Sequence, residues 1–291
     1  MAKARIGITL GDVAGIGPEV VCKALDSGKI DLRFEYEVIG KMFDVPLGKV
    51  SADAGRAAGR WVEEGVRRCL AGELAALVTA PLNKEGLHAG GYDFPGHTEL
   101  LAKLTGTSRF AMMLVGGGLH VALVTTHLPL VDVSRALTRK KISEVIELTH
   151  DAMKRLGIER PRIAVAGLNP HAGEGGAFGR EEIETIAPAV QAAVAKGIDA
   201  RGPLAADALF VQARQKKFDA EVVMYHDQGL VPLKMWAFES GVNWTIGLPI
   251  IRTSPDHGTA YDIAGKGIAD PSSMIAAIQF AAKLASNPKK E

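Results

Sequence analysis

Residues 5–19 read RIGITLGDVAGIGPE, and the fold follows from that stretch. RIGITL predicts a short strand. Gly11, Gly15 and Gly17 then make a tight turn. Pro18 and Glu19 open a helix, the proline suiting its first turn and the glutamate its positive end. A strand running through a glycine-rich turn into a helix begins a βαβ unit. The glycines do not fall as GxGxxG, and that fingerprint is absent from the rest of the chain.

The same alternation continues outward. Val- and Ile-rich runs predict strands at 36–40, 75–79, 111–114, 121–125, 162–166, 221–225 and 243–247. Helical spacing predicts helices at 98–104, 141–156, 180–195, 205–215 and 272–285. In a further helix over 52–71, Ala54, Ala58, Trp61, Val62, Val66 and Leu70 recur near every 3.6 residues. Strands alternating with helices imply an α/β fold with a mainly parallel sheet. Such sheets place ligands at the C-terminal ends of their strands. The 291 residues suffice for one large or two medium domains. No linker divides them, so a chain that leaves one lobe and returns fits as well as two sequential domains.

Composition narrows the function. There are 34 basic and 33 acidic residues, a formal net charge of +1. That balance argues against a general nucleic-acid or anionic-membrane binder. No stretch is apolar enough to cross a bilayer, and the N-terminus lacks the apolar core of a signal peptide. Two cysteines, Cys22 and Cys69, make no disulfide framework. A reducing, cytoplasmic setting is expected.

Of eight histidines, three share a context. His127 follows VALVTT, His171 follows RIAVAGLNP, and His226 follows EVVMY. Each falls at or just past the end of a predicted parallel strand, where segments distant in sequence converge. Three neutral imidazoles suit a divalent metal and leave a position open for substrate. Spacing alone leaves this open against three unrelated loop histidines. Asp227 adjoins His226, and Asp207 lies at a predicted helix start, as a base, a metal neighbour or simply an N-cap. Lys234, Asn243 and Arg252 follow in one stretch, the two cations suited to phosphate or carboxylate. The segment 256–271, DHGTAYDIAGKGIADP, is a nucleotide loop or a simple turn on its glycines, and Asp262 can accept bonds from a ribose diol.

These motifs carry a resemblance. LGDVAGIGPE, FPGHTELLA, VTTHLPL, GLNPHAGEGGAFGREE, GPLAADALF, YHDQGLVPLK and GVNWTIGLPIIRTSPDHGTAYDIAGKG occur in order, from about Ile6 to Leu284. Together they resemble the 4-hydroxythreonine-4-phosphate dehydrogenase family of vitamin B6 biosynthesis. GDVAGIGPE and HGTAYDIAGKGIADP also resemble the GDGIGPE and HGSAPDIAGKGIANP segments of isocitrate and isopropylmalate dehydrogenases. The resemblance implies an NAD-dependent oxidoreductase of two-lobed α/β/α, isocitrate/isopropylmalate dehydrogenase-like fold. Residues 1–95 with 258–291 would form a cofactor-side lobe, and 96–257 a metal, substrate and dimerisation lobe. It implies a homodimer sharing its active sites and a divalent metal (Zn, Co or Mg) on His127, His171 and His226, with ligands from both subunits. His97, Thr98, Lys234, Asn243 and Arg252 would contact substrate. Asp207 and Asp227 would stand beside the metal, and Lys234 or one of these aspartates would be the base. His257, Gly258, Thr259, Ala260 and Asp262 would hold NAD.

The implied reaction oxidises 4-phosphooxy-L-threonine to a 3-keto acid, which decarboxylates to 3-amino-2-oxopropyl phosphate. TAPLNKEGLHAG and DIAGKGIADPSSM look closer to a subgroup acting on D-threonate or D-erythronate 4-phosphate. The chain is also shorter than the family pattern between about Val38 and Ala52. A metal-dependent phosphohydrolase would equally need three histidines and a basic pocket, but gives no reason for the adenosine-type loop. A non-catalytic phosphometabolite binder would need no metal.

Overall fold

The structure is a computed structural model that describes residues 3–94 and 96–287. Its strands, in chain order, are β1 (Arg5–Thr9), β2 (Glu35–Ile39), β3 (Ala76–Thr79), β4 (Ala111–Gly116), β5 (Leu119–Leu123), β6 (Arg162–Ala166), β7 (Asp199–Leu204), β8 (Ala220–Val223), β9 (Val242–Ile246) and β10 (Arg252–Pro255). Its helices are α1 (Gly17–Asp26), α2 (Ala52–Leu70), α3 (Lys84–Ala89), α4 (His97–Thr105), α5 (Leu130–Ala136), α6 (Arg139–Arg155), α7 (Ala187–Ala195), α8 (Ala206–Arg214), α9 (His226–Ala237) and α10 (Ser272–Ser286). Contacts divide the chain into two units. One runs to Ser108 and resumes at Glu239, and the other is Arg109–Phe238. The sequence reading drew these boundaries at 95/96 and 257/258. They fall elsewhere because α4 packs on α2, and β9 and β10 extend the sheet that β3 begins.

In the first unit the strands lie in the order β2-β1-β3-β10-β9, parallel except for β9. Helices cover both faces. A Cβ on Gly65 of α2 would lie 2.5 Å from Leu77, so α2 sits on the Leu77 face. Thr253 pairs with Val78 and donates its hydroxyl to the Ala277 carbonyl of α10 at 2.9 Å. Successive strand residues face opposite ways, which puts α10 across the sheet from α2. Ile6, Ile8, Leu77 and Val78 are fully buried between them, each worth about 1.5–3 kcal/mol.

The second unit has the order β4-β5-β8-β6-β7, with β4 antiparallel to β5 and the rest parallel. Gly117 and Gly118 join β4 to β5 at φ 58° and 85°, the positive values a two-residue primed turn needs. α8 and α9 cover a core of Leu114, Val121, Leu123, Ala166, Leu209, Val223 and Leu233. The sequence missed α9 because Gly229 and Pro232 punctuate it. Gly229 is there because a Cβ would meet Val121 at 2.5 Å. Among the described residues no helix is long and apolar enough to cross a membrane, and both cysteines are free.

Candidate active site

The histidine side belongs to the second unit. β5 and β8 run parallel, and their pairing outlasts both strands. Val124 N–H donates to Val223 O at 2.9 Å, and the Thr125 hydroxyl donates to Met224 O at 2.7 Å. Two residues further on each chain stand His127 and His226, with ring centroids 5.8 Å apart. His226 is the first residue of α9 and has its Nδ1 2.6 Å from Asp227 Oδ1. With the proton on Nδ1, that carboxylate orients the ring and leaves Nε2 as a lone pair for a metal. His226, Asp227, Leu230, Val231, Lys234 and Met235 line one open hollow along α9. Lys234 therefore shares a helix face with His226.

His171 stands in a turn, Pro170–Gly176, whose backbone is left-handed from His171 to Gly175. His171, Ala172 and Glu174 hold φ of 54°, 51° and 43° without being glycine, at about 1–3 kcal/mol each. Buried Glu182 holds the turn: its Oε1 accepts from the N–H groups of Leu168 and Asn169, both at 2.7 Å. The His171 ring lies 6.2 Å from Phe178. The structure does not bring the three histidines together within one chain. Among the described residues no group of three His, Cys, Asp or Glu side chains is placed to hold a metal. β8 lies between β5 and β6, and His171 sits in the left-handed turn that follows β6. One chain offers two side-by-side imidazoles, one backed by a carboxylate. Their chemistry suits a divalent ion, and their number falls short of a site. Asp207 is the second residue of α8, not its cap. Ala205 occupies the cap, and Asp207 Oδ1 accepts from Ala208 N–H at 2.8 Å.

The anion side belongs to the first unit. Arg252 opens β10 and is 1% exposed. Its Nε and Nη2 donate to Thr79 Oγ1 at 3.1 and 2.7 Å, and its Nη1 to Thr245 Oγ1 at 3.0 Å. Burial pushes its guanidinium down to about 9, with Glu99 opposing at longer range, so it stays protonated at neutral pH. Burial, then the positive Arg252, hold His97 well below the ordinary histidine range. His97 is therefore neutral. Its Nε2, Asn243 Oδ1 and Thr9 Oγ1 are buried with no hydrogen-bond partner among the described residues. Buried polar atoms are rarely left so. His97 and Thr98 are the first two residues of α4, whose N-terminus favours negative charge.

The loop after β10 is tied down at four points. Ile16 N–H donates to Thr259 O at 3.0 Å. The Tyr261 hydroxyl donates to Asp12 Oδ2 at 2.6 Å. Glu19 accepts from Ala269 N–H at 2.8 Å, and Lys23 donates to the carbonyls of Gly267 and Ala269. Asp262, between these ties, is exposed and Ala260 has φ 41°; just before them Gly258 is exposed and His257 Nδ1 sits 3.0 Å from Gly258 O. The segment shorter than the family pattern packs here too: Phe43 and Val45 lie with Trp61 and Tyr261 against Val13 and Ala14.

A family model described as "Pyridoxal phosphate biosynthetic protein PdxA" matches residues 18–281. The chain belongs to this family. A D-threonate 4-phosphate dehydrogenase from Cupriavidus necator is 47% identical, covering 96% of this chain and 97% of that one. A 4-hydroxythreonine-4-phosphate dehydrogenase from Desulforapulum autotrophicum is 46% identical over 95% of this chain and 94% of its own. A solved 4-hydroxythreonine-4-phosphate dehydrogenase from Klebsiella pneumoniae superposes with a TM-score of 0.87, at 40% identity, over 98% of this chain and 100% of its own. A β-decarboxylating dehydrogenase from Thermococcus kodakarensis, 17% identical with a TM-score of 0.54, covers 96% of this chain and 81% of its own and shares the fold alone.

Thr79, Thr245, Glu182 and the ties Asp12–Tyr261 and Glu19–Lys23 are absent from the sequence reading of this PdxA-family chain. Thr79 had a visible signal: like Thr9, it ends a buried apolar strand, where side chains face a ligand site in a parallel sheet. Glu182 had none, since a glutamate in a charged run GREEIE reads as a solvated helix face.

Proposed function

We propose that this chain is an NAD- and divalent-metal-dependent dehydrogenase of a four-carbon hydroxy acid carrying a 4-phosphate. Buried Arg252 carries the reading: it is a charge held in the core by neutral hydroxyls, among buried polar atoms left without partners. Burying such a charge is expensive unless an anion completes it. Arg252, with His97, Thr98 and Asn243, binds the substrate's anionic group. Lys234 adds a second cation on the His226 face of α9, in which case Asp227 or Asp207 is the base that takes the hydroxyl proton; as a neutral amine Lys234 is itself the candidate base.

His127, His171 and His226 would hold the metal, and because one chain aligns only two of them, the third donor comes from a second copy. When bound, the ion lowers the pKa of the substrate hydroxyl and steadies the charge that develops on it. A homodimer fits the surface: Leu130, Val131, Met235 and Phe238 are each at least 70% exposed, more apolar exposure than a free surface usually keeps. The tied loop His257–Asp262 receives the adenosine end of NAD, which accepts the hydride. A small soluble cytoplasmic enzyme follows.

4-Phosphooxy-L-threonine is the substrate of this reading, with decarboxylation of the 3-keto product to 3-amino-2-oxopropyl phosphate. The motif TAPLNKEGLHAG and the Cupriavidus relative favour D-threonate or D-erythronate 4-phosphate as the second reading. NADH formation on a panel of these acids, with NAD and an added divalent metal, tests both. Release of phosphate without NADH would overturn the dehydrogenase in favour of a hydrolase.

A further inference from the structure

We infer that Thr79 and Thr245 are positioning residues that hold Arg252 as an uncompensated oxyanion receptor, so that affinity for the substrate's anionic group depends on two neutral hydroxyls. A guanidinium has five N–H groups. Thr79 takes the one on Nε and one on Nη2, and Thr245 takes one on Nη1. One N–H remains on each terminal nitrogen. That pair can meet an oxyanion two-pronged, the strongest arrangement such a group makes.

The strand register builds the receptor. Arg252 pairs with Leu77 on β3, so Thr79, two residues on, shares its face. Thr9 of β1 pairs with Thr79 and adds a buried hydroxyl without a partner. Thr245 comes from β9, which pairs antiparallel with β10. Three strands of the one sheet, β1, β3 and β9, thus supply threonines around one buried cation. A carboxylate in either threonine's place would hold the guanidinium equally well, but it would neutralise the charge and compete with the ligand. A hydroxyl fixes the geometry and leaves the charge to the ligand. Thr79 accepts two bonds and so spends both lone pairs on Arg252, which leaves its O–H proton free to donate.

The ligand's identity rests on the phosphorylated-acid reading, and the receptor does not. Heat stability of wild type, Thr79→Val, Thr79→Ser and Thr245→Val is measured with inorganic phosphate and, in a separate arm, acetate. At least one oxyanion should stabilise the wild type, and the arm that does so says whether the receptor takes phosphate or carboxylate. Thr79→Val should lose that stabilisation and Thr79→Ser keep it. In turnover, Thr79→Val should raise KM for the phosphorylated acid about tenfold or more, with kcat within about threefold and KM for NAD unchanged. If Thr79→Val does not fold, Thr245→Val decides by the same readouts with a smaller shift. The proposal is overturned if neither oxyanion stabilises the wild type, if Thr79→Val keeps the stabilisation, or if its KM and kcat fall away together and serine restores neither. A wild type that binds oxyanion through Thr79 yet makes no NADH would remove the dehydrogenase and leave the receptor standing.

Discussion

Arg252 is 1% exposed and bonded through three nitrogens within its own chain, whereas His127 and His226 stand at the surface of the other unit, 5.8 Å apart, with His171 beside Phe178 in the turn after β6. The first arrangement is finished when one chain folds. Its geometry is set by strand register, which a one-residue slip would destroy. In the proposed dimer, the second is finished only when another copy arrives. Substrate affinity should therefore behave as a property of the folded chain, and turnover as a property of the assembly. The two can be separated by experiment.

The largest effect is expected on the histidine side. His226→Ala should abolish measurable turnover and metal binding, while the melting temperature of the apo chain stays near wild type, because the ring is partly exposed and supports no core. Metal content by mass spectrometry, alongside thermal melts, checks this. Retained metal and activity would break the comparison at its more exposed end. On the anion side, Arg252→Ala should cost about 1.5–3 kcal/mol of substrate binding, read as KM, with metal content unchanged. An unaltered KM would show that the buried cation serves the fold alone.

The fold was legible where hydrophobic period was unbroken. RIGITL, ALVT and RIAVA became β1, β3 and β6 within a residue or so, because buried strands of a parallel sheet must be apolar throughout. α9 was illegible because Gly229 and Pro232, residues of turns, sit inside it for reasons that exist only in three dimensions. β10 was lost for a related reason: RTSP carries an arginine and a proline, and nothing local says the arginine is buried. The site split the same way. Strand-end histidines were visible as a pattern, whereas their incomplete assembly within one chain was implied only by the resemblance, since spacing carries no information about which strands lie side by side.

A smaller effect concerns the cofactor. Asp262 is exposed on the tied loop. Its carboxylate can accept from both ribose hydroxyls of NAD and would repel the 2′-phosphate of NADP. Efficiency should favour NAD, and Asp262→Lys should narrow or reverse that preference without altering metal content. Equal efficiency with both cofactors in the wild type would contradict the assignment.

The effect smallest in its bearing on activity concerns stability in the second unit. Burial pushes the Glu221 carboxyl up to about 8, with the Asp219 charge adding to it and a bond from His120 N–H opposing. Folded, Glu221 is protonated at neutral pH; unfolded, it is ionised above its ordinary 4.5. The unfolded chain therefore binds fewer protons between those values, and stability falls as pH rises through the window. Glu221→Gln should flatten that slope, by an amount on the order of a few kcal/mol at most, and should leave KM at pH 7 unchanged. Denaturant melts from pH 5 to 9 show the difference, and a slope identical to wild type would place the carboxyl elsewhere.

The most direct test of the central claim is NADH formation from D-threonate 4-phosphate, D-erythronate 4-phosphate and 4-phosphooxy-L-threonine, each assayed with metal and again with a chelator. The account predicts NADH from at least one of these acids, only with metal present, and none from its unphosphorylated counterpart. NADH formation that survives the chelator, or that proceeds equally well without the phosphate, would contradict it.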